Sequence, residues 1–428
     1  MLDRLEVEPF HPPRFAVDRV LQRARVAVAV SGVLVLANPD VAARQVPSPL
    51  SEAPGPPGPA EPTGAEPASE PWRFDRAAGL PDWIQIDFEQ QSRYEALDED
   101  FRAEQAGSNQ LWSLRHLLRA TLRRDDWRLV GEFADVRALD LPSDGTKFIS
   151  QDIVNAADLL QAYVGHRSED VFEPGDSLDL RLGRQTLDLG SRRFVARNVY
   201  RPTVNAFGGV ASTWLGADGA RVDAFALLPV ERLPGNDEPL ALRDNEVEFD
   251  QEREQTLFAG VHGVWPVFED GTRAELYGYG LFEHDEPGLE TRDRELVSLG
   301  ARLSRAPESR EFGYDSEAVL QVGESRLGAA PSDPELDHLA WYTHASLQYR
   351  FAGSMQPTVG LLFDWGTGDD DPDDGDNGRF DFLFGARVPL FGPTSLYGPF
   401  GFNNVLSPGL RFELRPTERL SLRLTHRL

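Results

Sequence analysis

The sequence predicts an all-β fold, a transmembrane antiparallel β-barrel, on three observations. Beyond residue 80, apolar and polar residues alternate with a period of two, no helical period persists, and aromatic residues lie near the ends of the alternating segments. The segments run for about ten or more residues, close to the roughly nine to eleven that cross a bilayer obliquely. A mean hydropathy of -0.39 is compatible with this fold, because only every second residue of such a strand meets lipid.

Residues 1–45 have the pattern of a signal-peptide leader. Their apolar run VAVAVSGVLVLA, at 26–37, follows arginines and is too short to span a bilayer as a helix. The run therefore predicts export, with a buried core helix as the alternative. Residues 46–80 follow as a proline-rich linker that is predicted to be disordered, since little apolar bulk is available to offset chain entropy. The predicted barrel occupies residues 81–428.

Composition excludes several classes of site. The chain has no cysteine, which rules out disulfides, thiolate metal sites, a cysteine nucleophile and a lipoprotein anchor. Its formal net charge of -27 argues against a nucleic-acid partner, which would need clustered cations on an outward face. Apart from Lys147 every basic residue is arginine, a side chain whose planar fork suits carboxylates.

Fifteen segments of the barrel region show the alternation. In the first, Ile84, Ile86 and Phe88 share one face, while Asp87 and Arg93 share the other. Each segment is therefore expected to be a strand with a lipid face and a wet face. The segments are 83–94, 111–124, 127–137, 156–167, 177–187, 207–215, 220–229, 255–266, 272–283, 294–305, 314–325, 338–351, 356–365, 404–415 and 418–428.

Aromatic residues near the segment ends match the girdles of an outer-membrane barrel. They are Trp83, Trp127, Trp265, Trp341, Trp365 and Phe351. Because bacterial single-chain barrels have even strand numbers and the chain stops in mid-alternation at LRLTHRL, the final strands are expected to be missing. A miscount by one would instead allow a closed barrel of sixteen strands.

Arginines are concentrated in the stretch LDLRLGRQTLDLGSRRFVAR, at 178–197. Arg181 has the parity of the polar face, but Arg184 has that of the leucines, and a lipid-facing arginine near the midplane costs roughly 2–4 kcal/mol. We therefore expect a bulge at Gly183 to turn the strand over, the alternative being that Arg184 lies at the membrane edge. The residues predicted to line a substrate path in the lumen are Arg93, Arg115, Arg119, Arg181, Arg184, Arg192, Arg193 and Arg411.

The same arginines have a second interpretation. They could pair with lumenal carboxylates in an ion-pair lattice that only stiffens the barrel. The acids expected in such a lattice are Asp179, Asp223, Glu275, Glu317 and Asp364.

Three motifs, in order along the chain, resemble those of the alginate-export porins of Gram-negative outer membranes. They are LPDWIQIDFEQQSRYEAL at 80–97, GRQTLDLGSRRF at 183–194, and GTGDDDPDDGDNGRFDFLFG at 366–385. The second is followed by Phe-Gly-Gly at 207–209, where Gly208 stands in place of the aspartate usual in the family. The resemblance implies a barrel of about eighteen strands, of which 15–16 are expected here. It also implies export of a polyuronate through an arginine-rich lumen, with outer-membrane lipid and periplasmic export components as partners.

The predicted function is an outer-membrane pore for passive, selective passage of an anionic polysaccharide, an alginate-like polyuronate. The alternatives are a porin for small anionic or aromatic solutes, an outer-membrane barrel enzyme, and a soluble β-rich binding protein. No nucleophile elbow, zinc-protease motif or phosphate loop occurs, so no catalysis and no cofactor are expected. The acidic loop is a weak calcium candidate that does not fit the EF-hand register, and a solvated extracellular loop is favoured. Its candidate ligands are Asp369, Asp371, Asp373 and Asp376.

Overall fold

The computed structural model describes residues 74–99, 107–141, 149–371, 374–391, 398, 400–417 and 420–428. The predicted leader, 1–45, lies outside the described residues, as does the linker up to residue 73. The description begins at residue 74, where a short helix, α1 (Phe74–Ala77), precedes the first strand. Among the described residues, no helix has the length and apolar character needed to cross a membrane.

Fifteen long strands and two short ones form one sheet in the described part of the chain, and each long strand matches a predicted segment to within three residues at either end. The strands are β1 (Ile84–Leu97), β2 (Asn109–Arg124), β3 (Trp127–Asp140), β4 (Asn155–Glu169), β5 (Ser177–Gln185), β6 (Phe207–Leu215), β7 (Arg221–Glu231), β8 (Gln251–Glu252), β9 (Thr256–Pro266), β10 (Arg273–Glu283), β11 (Glu295–Arg305), β12 (Phe312–Arg326), β13 (Glu335–Arg350), β14 (Thr358–Gly366), β15 (Asp376–Asn377), β16 (Val405–Thr417) and β17 (Leu420–Arg427). The remaining helices are α2 (Pro239–Asp244) and α3 (Val388–Phe391).

The long strands form an antiparallel meander. Each pairs with the next long strand in sequence, so that β7 pairs with β9 and β14 pairs with β16. The two short strands are additions: β8 pairs with the end of β7, and β15 lies parallel to β13. Over the described residues, β1 and β17 each have one partner, β2 and β16 respectively. This is the fold class that the sequence predicted.

Connections alternate in length along the meander. The end that carries the short connections is called the turn end, and the opposite end is called the loop end. In outer-membrane barrels short turns face the periplasm and longer loops face outward. The turn end has the connections 125–126, 170–176, 216–220, 267–272, 306–311 and 351–357, and the loop end includes 186–206, 232–250 and the described residues between 367 and 404.

The strands bury one face and expose the other, as the alternation predicted. Phe88 and Leu182 point outward and are 65% and 64% exposed, whereas the inward Arg115 and Asp364 are buried. Outward aromatic residues mark the turn end, where Trp83, Trp127, Trp265 and Phe351 are all exposed. Apolar side chains therefore cover the lipid face, and charged side chains face the lumen.

Two connections from the loop end lie inside the sheet. We call residues 186–206, between β5 and β6, the strap, and residues 378–391 the inner loop. They join through backbone bonds, the Phe384 N–H donating to Phe194 O at 3.0 Å and the Ala196 N–H donating to Phe384 O at 3.1 Å. Phe194 of the strap packs against Tyr342 of β13, and Phe384 packs against Phe258 of β9. The sheet therefore curves around both segments.

Candidate functional site in the barrel lumen

Two predicted arginines on the first strands hold the strap by its backbone. Arg115 Nη1 donates to the carbonyl oxygens of Val199 and Arg201 at 2.8 and 2.9 Å, and its other nitrogen pairs with Glu89. Arg93 Nη1 donates to the Tyr200 oxygen at 2.8 Å. Both side chains are inward, as predicted, but their guanidinium groups are used in fixing the strap.

Arginines of the strap itself reach opposite walls of the lumen. Arg193 pairs with Asp315 at 2.8 Å and with Glu317, both on β12. Burial lowers the pKa of Arg193, but Glu317 and Asp315 outweigh burial and the net pKa is raised, so this cation stays charged. Arg197 donates to both oxygens of Glu132 on β3, at 2.6 and 3.1 Å. The strap is thus pinned between β3 and β12.

The strap and the inner loop also meet at Arg192, another predicted path residue. Its backbone adopts a left-handed conformation with φ +63°, and its carbonyl oxygen accepts a hydrogen bond from the Ala386 N–H at 2.9 Å. The backbone of Arg192 therefore turns the strap towards the inner loop.

All five carboxylates expected in a lattice are in ion pairs. The partner lies on the strap for Glu317, on the neighbouring strand for Glu275, on the same strand for Asp223, and one strand further along the sheet for Asp179 and Asp364. The pairs are Asp179 with Arg128, Asp223 with Arg221, Glu275 with Arg302, Glu317 with Arg193, and Asp364 with Arg427. The lattice interpretation therefore describes the contacts of these five acids.

Charge is locally unbalanced around Asp179 on β5. Its two oxygens accept hydrogen bonds from Arg128 at 2.5 and 2.6 Å. Arg181, on the same strand and 2% exposed, is 3.7 Å from the same carboxylate, and none of its guanidinium nitrogens has a hydrogen-bond partner within the described chain. Two guanidinium groups thus share one carboxylate. Arg119, by contrast, is matched with Asp87 at 3.2 Å.

A second concentration of arginines lies on the last two strands. The strand register places Glu413 opposite Arg423 and Arg411 opposite Thr425, all with inward parity. Arg423 pairs with Glu413 at 2.7 Å, and Arg427 pairs with Asp364 of β14 at 2.7 Å. Arg411, Arg423 and Arg427 therefore line one part of the inward face of the sheet.

Arg184 is not in the lumen, and the predicted bulge at Gly183 is wrong. The register with β4 continues without a shift from Leu182 to Arg184, so Arg184 keeps its outward parity. It lies one residue from the end of β5 and binds Glu252 on β8 at 2.8 and 3.0 Å. Gly183 has φ +127°, and a Cβ there would strike the backbone of Ala162. The glycine permits a strained strand conformation, and the arginine is neutralised at the membrane edge.

Sequence reasoning missed an aromatic cluster inside the barrel. It contains Phe194 and Phe380 from the inner segments and wall residues from β6 to β13, and His262 stacks on Tyr277 at 5.1 Å between ring centroids. The signal was present, because Tyr277 shares the parity of Glu275. The wall members include Phe207, Phe225, Phe258, Tyr277, Tyr279 and Tyr342.

The acidic loop supplies no support for a metal site. Of its candidate ligands, Asp373 lies outside the described residues. Among the residues that are described, no group of three or more His, Cys, Asp or Glu side chains could hold a metal ion.

A comparison with protein-family models matches residues 82–428 to the family described as alginate export. The chain belongs to the alginate-export family. The resemblance of the three motifs is thereby confirmed. As a member of the alginate-export family, the chain is an outer-membrane protein whose barrel forms a pore, and the family is one of transport proteins.

Solved structures are similar to the chain at low identity. The chain is similar to Pseudomonas aeruginosa OpdK with vanillate, at 14% identity and a TM-score of 0.46, over 77% of this chain and 77% of that one. It is similar to Pseudomonas putida OprB at high pH, at 12% identity and a TM-score of 0.41, over 80% of this chain and 92% of that one. It is similar to Pseudomonas aeruginosa OccD3, at 12% identity and a TM-score of 0.42, over 78% and 67%. A comparison with curated proteins gives no match.

Proposed function

We propose that this member of the alginate-export family passes an anionic polysaccharide, an alginate-like polyuronate, passively through its lumen. The observation that carries the proposal is the local excess of arginine over carboxylate around Asp179, and a second group of inward arginines lies on the last two strands. Arg128 and Arg181 share Asp179, and Arg411 lies beside the ion-paired Arg423 and Arg427. Both places lie on the inward face of the sheet.

The path that we propose runs along the charged side of the lumen. The aromatic cluster occupies the side lined by β6 to β13 together with the strap and the inner loop. The two arginine-rich places lie on β3 to β5 and on β16 and β17, outside that sector. The polymer therefore follows the charged wall, and the aromatic cluster holds the two inner segments in position.

A mixed wall of both signs suits transport better than a wall of cations alone. Each uronate carboxylate can replace a protein carboxylate at a guanidinium fork, so binding is repeated along the chain without one deep trap. A polymer with a charge on every ring gains from many such exchanges, whereas a neutral polymer gains nothing from them. We infer that charge, more than ring stereochemistry, sets the selectivity of the pore.

Direction and partners extend the same proposal. Residues 1–45 direct the chain to export, residues 46–80 link this leader to the barrel domain of 81–428, and the polymer moves outward. The turn end then faces periplasmic export components that supply the polymer. The lipid-facing apolar surface contacts the outer membrane throughout.

Block of single-pore current in a planar bilayer tests the proposal. Oligouronates added on the turn-end side are expected to interrupt the current, and neutral oligosaccharides of equal length are expected to leave it unchanged. The double variant Arg181→Gln with Arg411→Gln should shorten the interruptions, whereas Arg184→Gln, which alters an outward arginine, should not. Equal block by charged and neutral oligosaccharides would refute the proposal.

A further inference from the structure

A small cavity lies at the loop end, between the strap, the inner loop and the end of β7. Its volume is about 250 Å³, room for about eight water molecules at roughly 30 Å³ each. Charged walls are supplied by Arg201, Arg232 and Arg253, and apolar walls by Phe207, Phe382 and Phe384. The cavity is thus large enough for one ring but not for a folded length of polymer.

Two arginines of this cavity converge on a single carboxylate oxygen. Arg201 Nη1 lies 2.8 Å from Asp152 Oδ1, and Arg232 Nη2 lies 3.0 Å from the same atom. Both arginines also donate to Asn205 Oδ1, at 2.5 and 3.4 Å. Asp152 is about half exposed, so its place on the two guanidinium groups is open to exchange with a carboxylate from solution.

A third arginine, Arg387, adds to the electrostatic repulsion on Arg201. Burial, followed by repulsion from Arg232 and Arg387, lowers the pKa of Arg201 to about 9 although Asp152 opposes the shift. Asp152, held by these cations, has a pKa below its usual value although burial opposes the shift. An additional anion would relieve the repulsion among the three guanidinium groups. Arg253, on the opposite wall, is already paired with Glu231 at 2.5 Å.

We propose that this cavity is a subsite for a single carboxylate-bearing ring, whose carboxylate binds Arg232 and Arg201 and whose ring lies against Phe382. The chemistry is that of one uronic acid residue, at a chain end or free in solution. Arginine forks recognise a carboxylate through paired hydrogen bonds, and the phenylalanine wall accepts the apolar face of a ring. The place of this subsite on a polymer path rests on the proposed function, but its binding of a monomer does not.

The structure makes opposite predictions for two variants of the subsite. Arg232→Gln removes one arm of the fork, and loss of a charge-assisted pair should weaken binding at least about tenfold. Asp152→Asn removes the competing carboxylate, so it should strengthen binding by several fold. If the cluster only stabilised the fold, both variants would change glucuronate affinity in the same direction.

Calorimetric titration of the full chain in detergent micelles tests the subsite, with glucuronate, glucose and acetate as probes. Saturable binding of glucuronate, weaker binding of acetate and no binding of glucose are expected. Arg167→Gln, which alters an exposed ion pair at the turn end, is the control and should bind like the unaltered chain. The proposal is overturned if the unaltered chain shows no saturable glucuronate binding, or if Asp152→Asn and Arg232→Gln both weaken it.

Bilayer measurements on the same variants separate this proposal from the proposed function. If glucuronate binding is absent while oligouronates still block the pore, the subsite is wrong and the transport function stands. If glucuronate binds as expected but oligouronates and neutral oligosaccharides block equally, the transport function is wrong and the subsite stands.

Discussion

Removal of the strap's buried anchor, by Arg197→Gln, is expected to destabilise the folded barrel and to widen its lumen. The Arg197 and Glu132 side chains are only 4% and 3% exposed, and the pair is joined by two hydrogen bonds. Thr186 accepts a third bond from Arg197 at 3.0 Å. Because the substitution leaves a buried carboxylate without its cation, the free energy of unfolding should fall by about 3–5 kcal/mol, towards the lower figure if the glutamine donates one bond.

Urea unfolding of barrels folded in lipid vesicles measures the loss, and single-pore conductance reports the release of the strap. The matched control is Arg167→Gln, since Arg167 and Glu169 form an ion pair whose side chains are 37% and 59% exposed. That control should lose at most about 1 kcal/mol and keep the conductance of the unaltered chain. If Arg197→Gln lost no more stability than the control, the strap would not be anchored as described.

Two further predictions concern the loop end. Gly208→Ala places a Cβ 2.7 Å from Cγ of Glu252, which binds Arg184, so this variant should lower the free energy of unfolding by about 1 kcal/mol. The control Gly131→Ala, whose added Cβ would have nothing within 4 Å, should leave it unchanged. Equal urea midpoints for the two variants would contradict this account. Burial and the neighbouring Asp158 raise the pKa of Asp250 to about 7, so its stabilising contribution is present below about pH 4 and lost as pH rises to 7. This loss of stability between pH 4 and pH 7 is worth at most about 4 kcal/mol. In Asp250→Asn the loss should be smaller, as measured by urea midpoints from pH 4 to pH 8. A pH profile identical to that of the unaltered chain would exclude this role of Asp250.

The strand positions could be predicted from sequence because each strand residue lies between lipid and a wet lumen. Because of that contrast, residues on the lipid face are apolar and residues on the lumen face are polar. Ile84 and Phe88 can therefore be assigned to the outer face from the sequence alone. Register along the meander then follows from short turns at one end.

Contacts between distant segments could not be predicted in this way. The parity of Arg184 correctly indicated the outer face. Its ion pair could not be predicted, because the partner, Glu252, lies 68 positions later on a two-residue strand with no periodic signal. The strap showed the same limit. Arg192 and Arg193 were predicted as path residues and Arg197 was not. Arg193 and Arg197 proved to be anchors because their partners, Glu317 and Glu132, come from strands on either side of the lumen. The local sequence pattern indicates which face of the sheet a residue occupies, whereas its contacts with distant segments are seen only in the folded chain.

The reversal potential of single pores under a potassium chloride gradient tests most directly whether the lumen selects anions. The account predicts a potential of the sign expected for chloride preference, reduced in Arg181→Gln and unchanged in Arg184→Gln, which removes the same charge from the outer face of the same strand. A potential of the opposite sign, or equal effects of the two substitutions, would contradict the central claim.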